Sequence, residues 1–307
     1  MILRQTSSAL LTFFFMFASL PLRQTEDHFN WQTLESGMLK VHWYEGDANF
    51  GQAALEVAQA GLESIGRWLP AKLDQPIEIF IYASTDDLQS ELIPGGETWV
   101  AGHADPALGF VRVAVQPGAE QGIIMEQRIP HELMHVLLYR HVGAGYQNIP
   151  AWLREGMATL AELYPNADYD PALAEAVSAD RLISLRNLCV SFPAEAGQAF
   201  LAYAEARSFT SYLHRTYGST GLLNLAASYA DGLDCERGTE AAVGISLSNL
   251  ESQWRSTVLG QNAFLTFLNN ISPYLVLLCL VLIIPMLGIV ATLRKGKRNE
   301  PETYVRK

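Results

Sequence analysis

Residues 131–135 read His-Glu-Leu-Met-His. On a helix, His131 and His135 lie one turn apart on the same face, so their imidazoles can bind a single tetrahedral zinc ion. Glu132, beside the first histidine, can then accept a proton from a water molecule at that ion. The alternative is an amphipathic helix with two surface histidines and a glutamate that the helix dipole favours. This stretch predicts a helix that holds a catalytic zinc ion.

A third zinc ligand is predicted further along the chain, where residues 150–158 read Pro-Ala-Trp-Leu-Arg-Glu-Gly-Met-Ala. Pro150 suits the first turn of a new helix, and a turn at Gly143–Gly145 lets that helix fold back against the first one. Gly156 permits a close backbone approach beside Glu155. We therefore expect Glu155 to be the third ligand; the alternative is a hydrogen-bonded glutamate at the surface.

Taken together, H-E-L-M-H and P-x-W-L-x-E-G-x-A resemble the gluzincin zinc metallopeptidases, and specifically the peptidase MA-like family. The likeness covers most of residues 120–260, while residues 30–118 match in pattern only. It continues through four further segments: Ala202–Phe209, Tyr217–Gly218, Ala230–Gly232 and Gly244–Trp254. The resemblance implies a zincin-like fold and peptide-bond hydrolysis. It also implies one zinc ion per chain, held by His131, His135 and Glu155, with Glu132 as the general base.

The resemblance also implies a donor that stabilises the oxyanion, a task for a preorganised hydroxyl or imidazole. Tyr203 is the candidate by motif, and the alternative is a tyrosine packed among helices with its hydroxyl satisfied. His214 and His103 are the other candidates, whereas His141 is expected to complement the carbonyls at a helix end. The sequence departs from the family at Ala206, where serine is common.

The resemblance also implies a strand beside the site. A peptide substrate can pair with this strand as an additional strand of the sheet, and our candidate is Phe110–Val115. No motif for binding a free substrate amine is present, so the sequence leaves endopeptidase and exopeptidase activity open.

The periodicity of the sequence between the two chain ends predicts an α+β fold in which a small N-terminal sheet with one covering helix precedes a helical subdomain. The predicted strands are Leu39–Tyr44, Pro76–Tyr82, Thr98–Ala101 and Phe110–Val115. The predicted helices are Ala53–Leu69, Asp86–Leu92, His131–His141, Pro150–Leu163, Leu182–Leu188, Phe200–Tyr217, Gly221–Ala230 and Leu247–Leu259. The sheet subdomain is expected over residues 24–118 and the zinc-binding helical subdomain over residues 119–260.

The two ends of the chain predict a membrane protein. Residues 274–293 carry no charge over twenty positions, long enough for a transmembrane helix, and the basic run Arg294–Arg298 follows at once. Residues 1–23 predict a signal peptide, or alternatively an uncleaved N-terminal anchor. Residues 24–272 are then extracytoplasmic, with 261–273 next to the membrane and the basic tail, 294–307, in the cytoplasm.

The net charge and the cysteines of the chain also bear on its function. The 307 residues carry a net charge of −11, which disfavours binding to nucleic acid. Cys189 and Cys235 can pair in an oxidising compartment, but the sequence does not fix the distance between them.

We therefore expect a membrane-anchored, outward-facing zinc metallopeptidase that acts on a peptide or protein substrate. One alternative is a non-catalytic exported receptor or scaffold that binds peptides on the same fold. Another is a structural membrane protein in which the histidine pair is incidental.

Overall fold

The computed structural model of the protein describes residues 29–92, 100–261, 271–272, 274–283 and 285–287. The predicted signal peptide at 1–23 and the predicted cytoplasmic tail at 294–307 lie outside these residues, as do Thr98 and Trp99 of one predicted strand.

The described part of the chain contains one five-stranded mixed sheet in the order β1-β2-β3-β5-β4. The strands are β1 (Gln32–Ser36), β2 (Leu39–Trp43), β3 (Ile77–Tyr82), β4 (Gly102–Asp105) and β5 (Phe110–Ala114). Strands β2, β3 and β5 are parallel, whereas β1 and β4 run antiparallel at the two edges.

The sheet topology corrects one expectation. The strand predicted to receive a substrate, Phe110–Val115, corresponds to β5, which pairs with β3 on one side and with β4 on the other. An internal strand has its backbone donors and acceptors occupied and cannot accept an added peptide. The strand at this edge of the sheet is β4, which begins at Gly102, directly after the predicted Thr98–Ala101.

The helices are α1 (Ala48–Gly66), α2 (Thr85–Glu91), α3 (Gln121–Val142), α4 (Ala151–Ala161), α5 (Tyr169–Ser178), α6 (Ala196–Ala230), α7 (Cys235–Val243) and α8 (Leu247–Thr257). Short 3-10 helices at Gly143–Asn148 and Leu185–Leu188 connect them. The two helices predicted at 200–217 and 221–230 are the two halves of α6, which is kinked at Gly218 with φ +68°. The mixed α+β fold is thus confirmed.

The alternation of buried and half-buried residues along the strands gives the sheet an apolar face, against which α1 and α3 pack. In β2, Leu39, Val41 and Trp43 are buried, while the residues between them are half-buried. Helix α1 begins at the cap Asp47, whose carboxylate accepts from the Phe50 N–H. Helices α1 and α3 also touch closely, because a Cβ atom at Gly61 would lie 3.1 Å from the Pro130 side chain. This packing fixes α3 beside the sheet.

Two further features concern the expectations about the chain ends and the cysteines. Cys189 and Cys235 form a disulfide with a Cα–Cα distance of 6.2 Å, which settles the pairing. Residues 274–283 and 285–287 are helical, and their large apolar side chains are exposed. No helix within the described residues is both long enough and apolar enough to cross a membrane.

Candidate metal centre

Three side chains from α3 and α4 converge on one point. His131 and His135 lie on one face of α3, and their Nε2 atoms are 3.4 and 3.6 Å from Oε2 of Glu155. Helix α4 brings Glu155 there because the chain reverses through Gly143, at φ +69°, and the 3-10 helix that follows. One ligand atom from each residue lies within 4.8 Å of the others. The structure therefore brings together the three residues predicted as ligands.

The spacing of these atoms fits a zinc ion. Zinc binds histidine nitrogen and carboxylate oxygen at about 2.1 Å in tetrahedral geometry, which places neighbouring donors about 3.4 Å apart. The two distances to Glu155 agree with this value. Two imidazoles and one carboxylate are also the donor set of catalytic zinc sites that leave a fourth position open. This group of residues can hold zinc.

Each histidine has a second partner that turns its Nε2 atom toward Glu155. Nδ1 of His131 lies 3.2 Å from Oε1 of Glu162, and Nδ1 of His135 lies 3.0 Å from the Tyr146 hydroxyl. With Nε2 available to a metal, Nδ1 carries the proton and donates to these oxygens. Both partners are buried, so the imidazole orientations are held firmly.

Sequence reasoning missed both partners. A signal existed for Glu162, which follows Glu155 by seven residues and so returns to the same side of α4 after two turns. No comparable signal pointed to Tyr146, because its position depends on how the 3-10 helix folds back onto α3.

Without a metal, ion pairs hold the centre together. Burial lowers the pKa of His131, but hydrogen bonds to Glu155 and Glu162 outweigh burial and raise this pKa to about 10. For Glu155, burial raises the pKa, but the charge of His135 and hydrogen bonds to both histidines hold it well below its ordinary range. A bound dication would therefore displace a proton from His131.

Glu132 lies next to this centre, against the edge of the sheet. Its side chain is buried, and burial raises its carboxyl pKa while the charges of His131 and His135 act in the opposite direction. A Cβ atom at Gly102 of β4 would lie only 2.4 Å from Oε1 of Glu132. Glycine at this position therefore lets the edge strand run directly against the carboxylate. The sequence analysis did not identify Gly102.

Tyr203 of α6 reaches the same centre. Its ring centroid is 6.1 Å from that of His131, and its hydroxyl is close enough to Glu155 for the charge of the carboxylate to act on it. The negative charge of Glu155, followed by burial, raises the pKa of Tyr203 well above its ordinary value, so the hydroxyl keeps its proton.

The other histidines considered from the sequence have different surroundings. His214 contacts Ser219 at 3.1 Å, and its ring centroid lies 6.0 Å from that of Trp68. His103 is exposed on β4. His141 lies in the last turn of α3, as expected, and its Nδ1 atom is 2.9 Å from the Pro70 carbonyl oxygen.

The close approach expected at Gly156 joins α4 to α6. A Cβ atom at Gly156 would lie 2.0 Å from Oγ1 of Thr210 and 2.7 Å from the Ala206 carbonyl oxygen. Ala206, the departure from the family pattern, is fully buried at this contact. The contact fixes the spacing between the helices that carry Glu155 and Tyr203.

A cleft of about 390 Å³ opens beside the centre. His131 and Glu132 form one part of its wall, and Gly102 at the end of the edge strand forms another. Phe200 and Tyr203 supply an aromatic wall. The cleft thus adjoins both the metal centre and the edge strand β4.

The sequence comparisons agree with the site. Comparison with curated proteins finds no match. The family model described as Peptidase MA superfamily matches residues 57–260, about two thirds of the chain. The matched range includes the edge strand, both helices of the metal centre and the helix that carries Tyr203. A match of this extent establishes that the chain belongs to the peptidase MA superfamily, whose members are typically zinc-dependent.

Proposed function

We propose that the protein is a zinc-dependent peptidase that hydrolyses peptide bonds. The observation that carries the proposal is the convergence of the His131 and His135 Nε2 atoms on Oε2 of Glu155, with Glu132 at the edge of the same cleft. The three ligands leave one coordination position for water or substrate. Zinc held there would supply Lewis acidity, which acidifies water and polarises a peptide carbonyl.

Glu132 is the proposed general base. Its carboxylate accepts a proton from the attacking water and later delivers that proton to the leaving nitrogen. Burial, which raises the pKa of this carboxyl, makes it a stronger base than an exposed glutamate. The position beside β4 supports the role, because a substrate on that strand would lie within reach of Glu132.

Tyr203 is the proposed donor to the oxyanion. Its hydroxyl keeps its proton and lies near Glu155, so it would be available to donate to the carbonyl oxygen of a substrate at the metal centre. A donor fixed before the reaction needs no reorganisation in the transition state.

The proposed substrate is a peptide in extended conformation along β4. Among the described strands, β4 pairs only with β5, so its other edge can hydrogen-bond to a peptide backbone. Backbone pairing of this kind positions a peptide with little dependence on its sequence, which leaves selection to the adjoining cleft.

We also propose that the protein is exported and anchored in the cell membrane through residues 274–293. The uncharged run and the basic residues after it support the anchor. The Cys189–Cys235 disulfide supports an oxidising compartment for the folded part.

The test uses the full-length chain, purified in detergent, with zinc content and peptide hydrolysis measured together. We expect one zinc ion per chain, and Glu132→Gln should keep the zinc while hydrolysis falls by about 10²–10⁴-fold. His135→Ala should lose both. Zinc binding without hydrolysis of any peptide in a broad mixture would instead support a receptor that binds peptides without cleaving them.

A further inference from the structure

The cleft beside Glu132 contains a cation, Arg128, for which the described residues supply no ion-pair partner. Arg128 lies on α3, one turn before Glu132, and its half-buried side chain lines the cleft. Its Nη1 atom donates to the backbone carbonyl of Ala114, at the end of β5. Among the ion pairs of the described residues, none includes Arg128, although the charge of Glu132 acts on it from a distance.

A guanidinium group in this position destabilises the folded protein unless an anion pairs with it. Removing a charge from water carries a desolvation penalty, which a bond to a neutral carbonyl repays only in part. Burial accordingly lowers the pKa of Arg128. Because guanidinium offers several donors in a planar fork, the donors not used by Ala114 can bind a carboxylate.

The other described residues that line the cleft do not supply that carboxylate. Glu162 also lines the cleft, but its side chain is only 4% exposed and its Oε1 atom bonds to His131. Glu132 is the proposed general base, and it forms no ion pair with Arg128. Gln127 and Asn166, the polar neutral residues of the lining, carry amide groups compatible with a carboxylate, and Phe200 with Tyr203 can pack against the carbon chain that bears it.

We propose that Arg128 selects substrates by binding a carboxylate on the residue next to the cleaved bond, on the side that occupies this cleft. The inference rests on the proposed peptidase function and names its substrate class. The carboxylate can belong to an aspartate or glutamate side chain within a peptide, or to the free C-terminus of the peptide. The first source makes the protein an endopeptidase for acidic sites, and the second makes it an exopeptidase.

The experiment uses the full-length zinc protein and a mixture of peptides, with the cleavage sites read by mass spectrometry. Matched peptides are then compared that carry either Glu or Gln at the residue next to the cleaved bond, on the side that occupies the cleft. Each of them is made with a free and with an amidated C-terminus. We expect kcat/KM to be about ten- to a hundredfold higher for the carboxylate-bearing peptide. A higher kcat/KM for Glu than for Gln assigns the carboxylate to the side chain, and a higher kcat/KM for the free than for the amidated C-terminus assigns it to the C-terminus.

Variants of Arg128 show whether this residue reads the carboxylate. Arg128→Gln should abolish the preference, mainly by slowing cleavage of the carboxylate peptide, and Arg128→Lys should retain part of it. Arg128→Glu should turn the preference toward Lys at the same position. Arg140→Gln is the matched control, because it removes a positive charge from the last turn of the same helix and should leave the preference unchanged.

Two results would overturn the inference. One is equal cleavage of all four matched peptides, with Glu or Gln and with a free or an amidated C-terminus, by the unmodified protein. The other is a uniform loss of activity in Arg128→Gln with an unchanged preference, which would mean that Arg128 acts only on Glu132.

A binding measurement separates this inference from the peptidase proposal. Glu132→Gln protein should bind the carboxylate peptide about tenfold or more tightly than the neutral one, whether or not any hydrolysis is found. Equal binding of both peptides would contradict the inference even if hydrolysis occurs. Absence of all hydrolysis, with selective binding retained, would reject the peptidase proposal alone.

Discussion

Gly102 of β4 and Glu132 of α3 are so close that a Cβ atom on residue 102 would lie 2.4 Å from the Glu132 carboxylate oxygen. We expect Gly102→Ala to displace the carboxylate and to lower kcat/KM by about a hundredfold, since a displacement near 1 Å can cost that much. Zinc content should be unchanged, because Glu132 is not one of the three ligands. Gly122→Ala is the control, because a Cβ there meets nothing within 4 Å. Full activity of Gly102→Ala would show that the carboxylate tolerates displacement.

The Tyr146 hydroxyl determines how firmly His135 faces the metal. We expect Tyr146→Phe to weaken zinc binding by about ten- to a hundredfold, because His135 loses the partner of its Nδ1 atom while the ring packing stays. Competition with a zinc chelator measures the effect. Tyr139→Phe is a suitable control, since the ring of Tyr139 packs 6.0 Å from that of Tyr146. Equal affinities in both variants would mean that packing alone orients His135.

Glu205 predicts a pH dependence of stability that is independent of the metal centre. This carboxyl is fully buried on α6 and accepts from the Ile183 N–H at 2.8 Å. Burial raises its pKa from 4.5 to about 8. The folded protein therefore holds this proton at pH values where the unfolded chain has released it. The contribution to stability is complete below pH 4.5 and is lost as the pH rises through 8, at up to about 1.4 kcal/mol per pH unit.

The measurement for Glu205 is the free energy of unfolding between pH 5 and pH 9. Glu205→Gln keeps the acceptor for Ile183 and should remove this part of the slope, so the variant becomes the more stable protein at pH 9. Glu120→Gln, at an exposed position, should leave the slope as it is. A slope that is the same in all three proteins would contradict the assignment.

The disulfide is expected to stabilise the start of the helix that carries Glu155. The backbone N–H of Ala151, the first residue of α4, donates to the carbonyl oxygen of Cys189 at 2.9 Å. Replacing both cysteines by serine should lower the free energy of unfolding by about 2–4 kcal/mol and weaken zinc binding. Loss of stability at unchanged zinc affinity would show that the cross-link does not support the ligand helix.

The sequence predicted the parts of this structure that repeat a pattern or a motif. Helix α4 and the second half of α3 were found because the ligand spacing and the apolar periodicity agree, whereas residues 121–130 of α3 were not predicted as helix. Strand β1 was missed because its side chains are mostly exposed and Leu34 is its one large apolar residue. Helices α5 and α7 were missed as well, and α7 presents few apolar residues.

The site shows the same division. His131, His135 and Glu155 belong to a motif, but Tyr146 and Gly102 reach the centre only through tertiary contacts. Arg128 lies one turn before Glu132 on the same helix, in the part of α3 that the sequence did not predict. The error over the substrate strand has a related cause. Phe110–Ala114 has the apolar alternation of a strand, but its neighbours in the sheet depend on how β4 returns beside it.

The ion pairs among His131, Glu155 and Glu162 have a consequence for metal uptake. A proton on His131 compensates the charge of the two carboxylates while no metal is bound. A zinc ion that binds there takes the place of this proton, so zinc uptake should release a proton and should weaken as the pH falls.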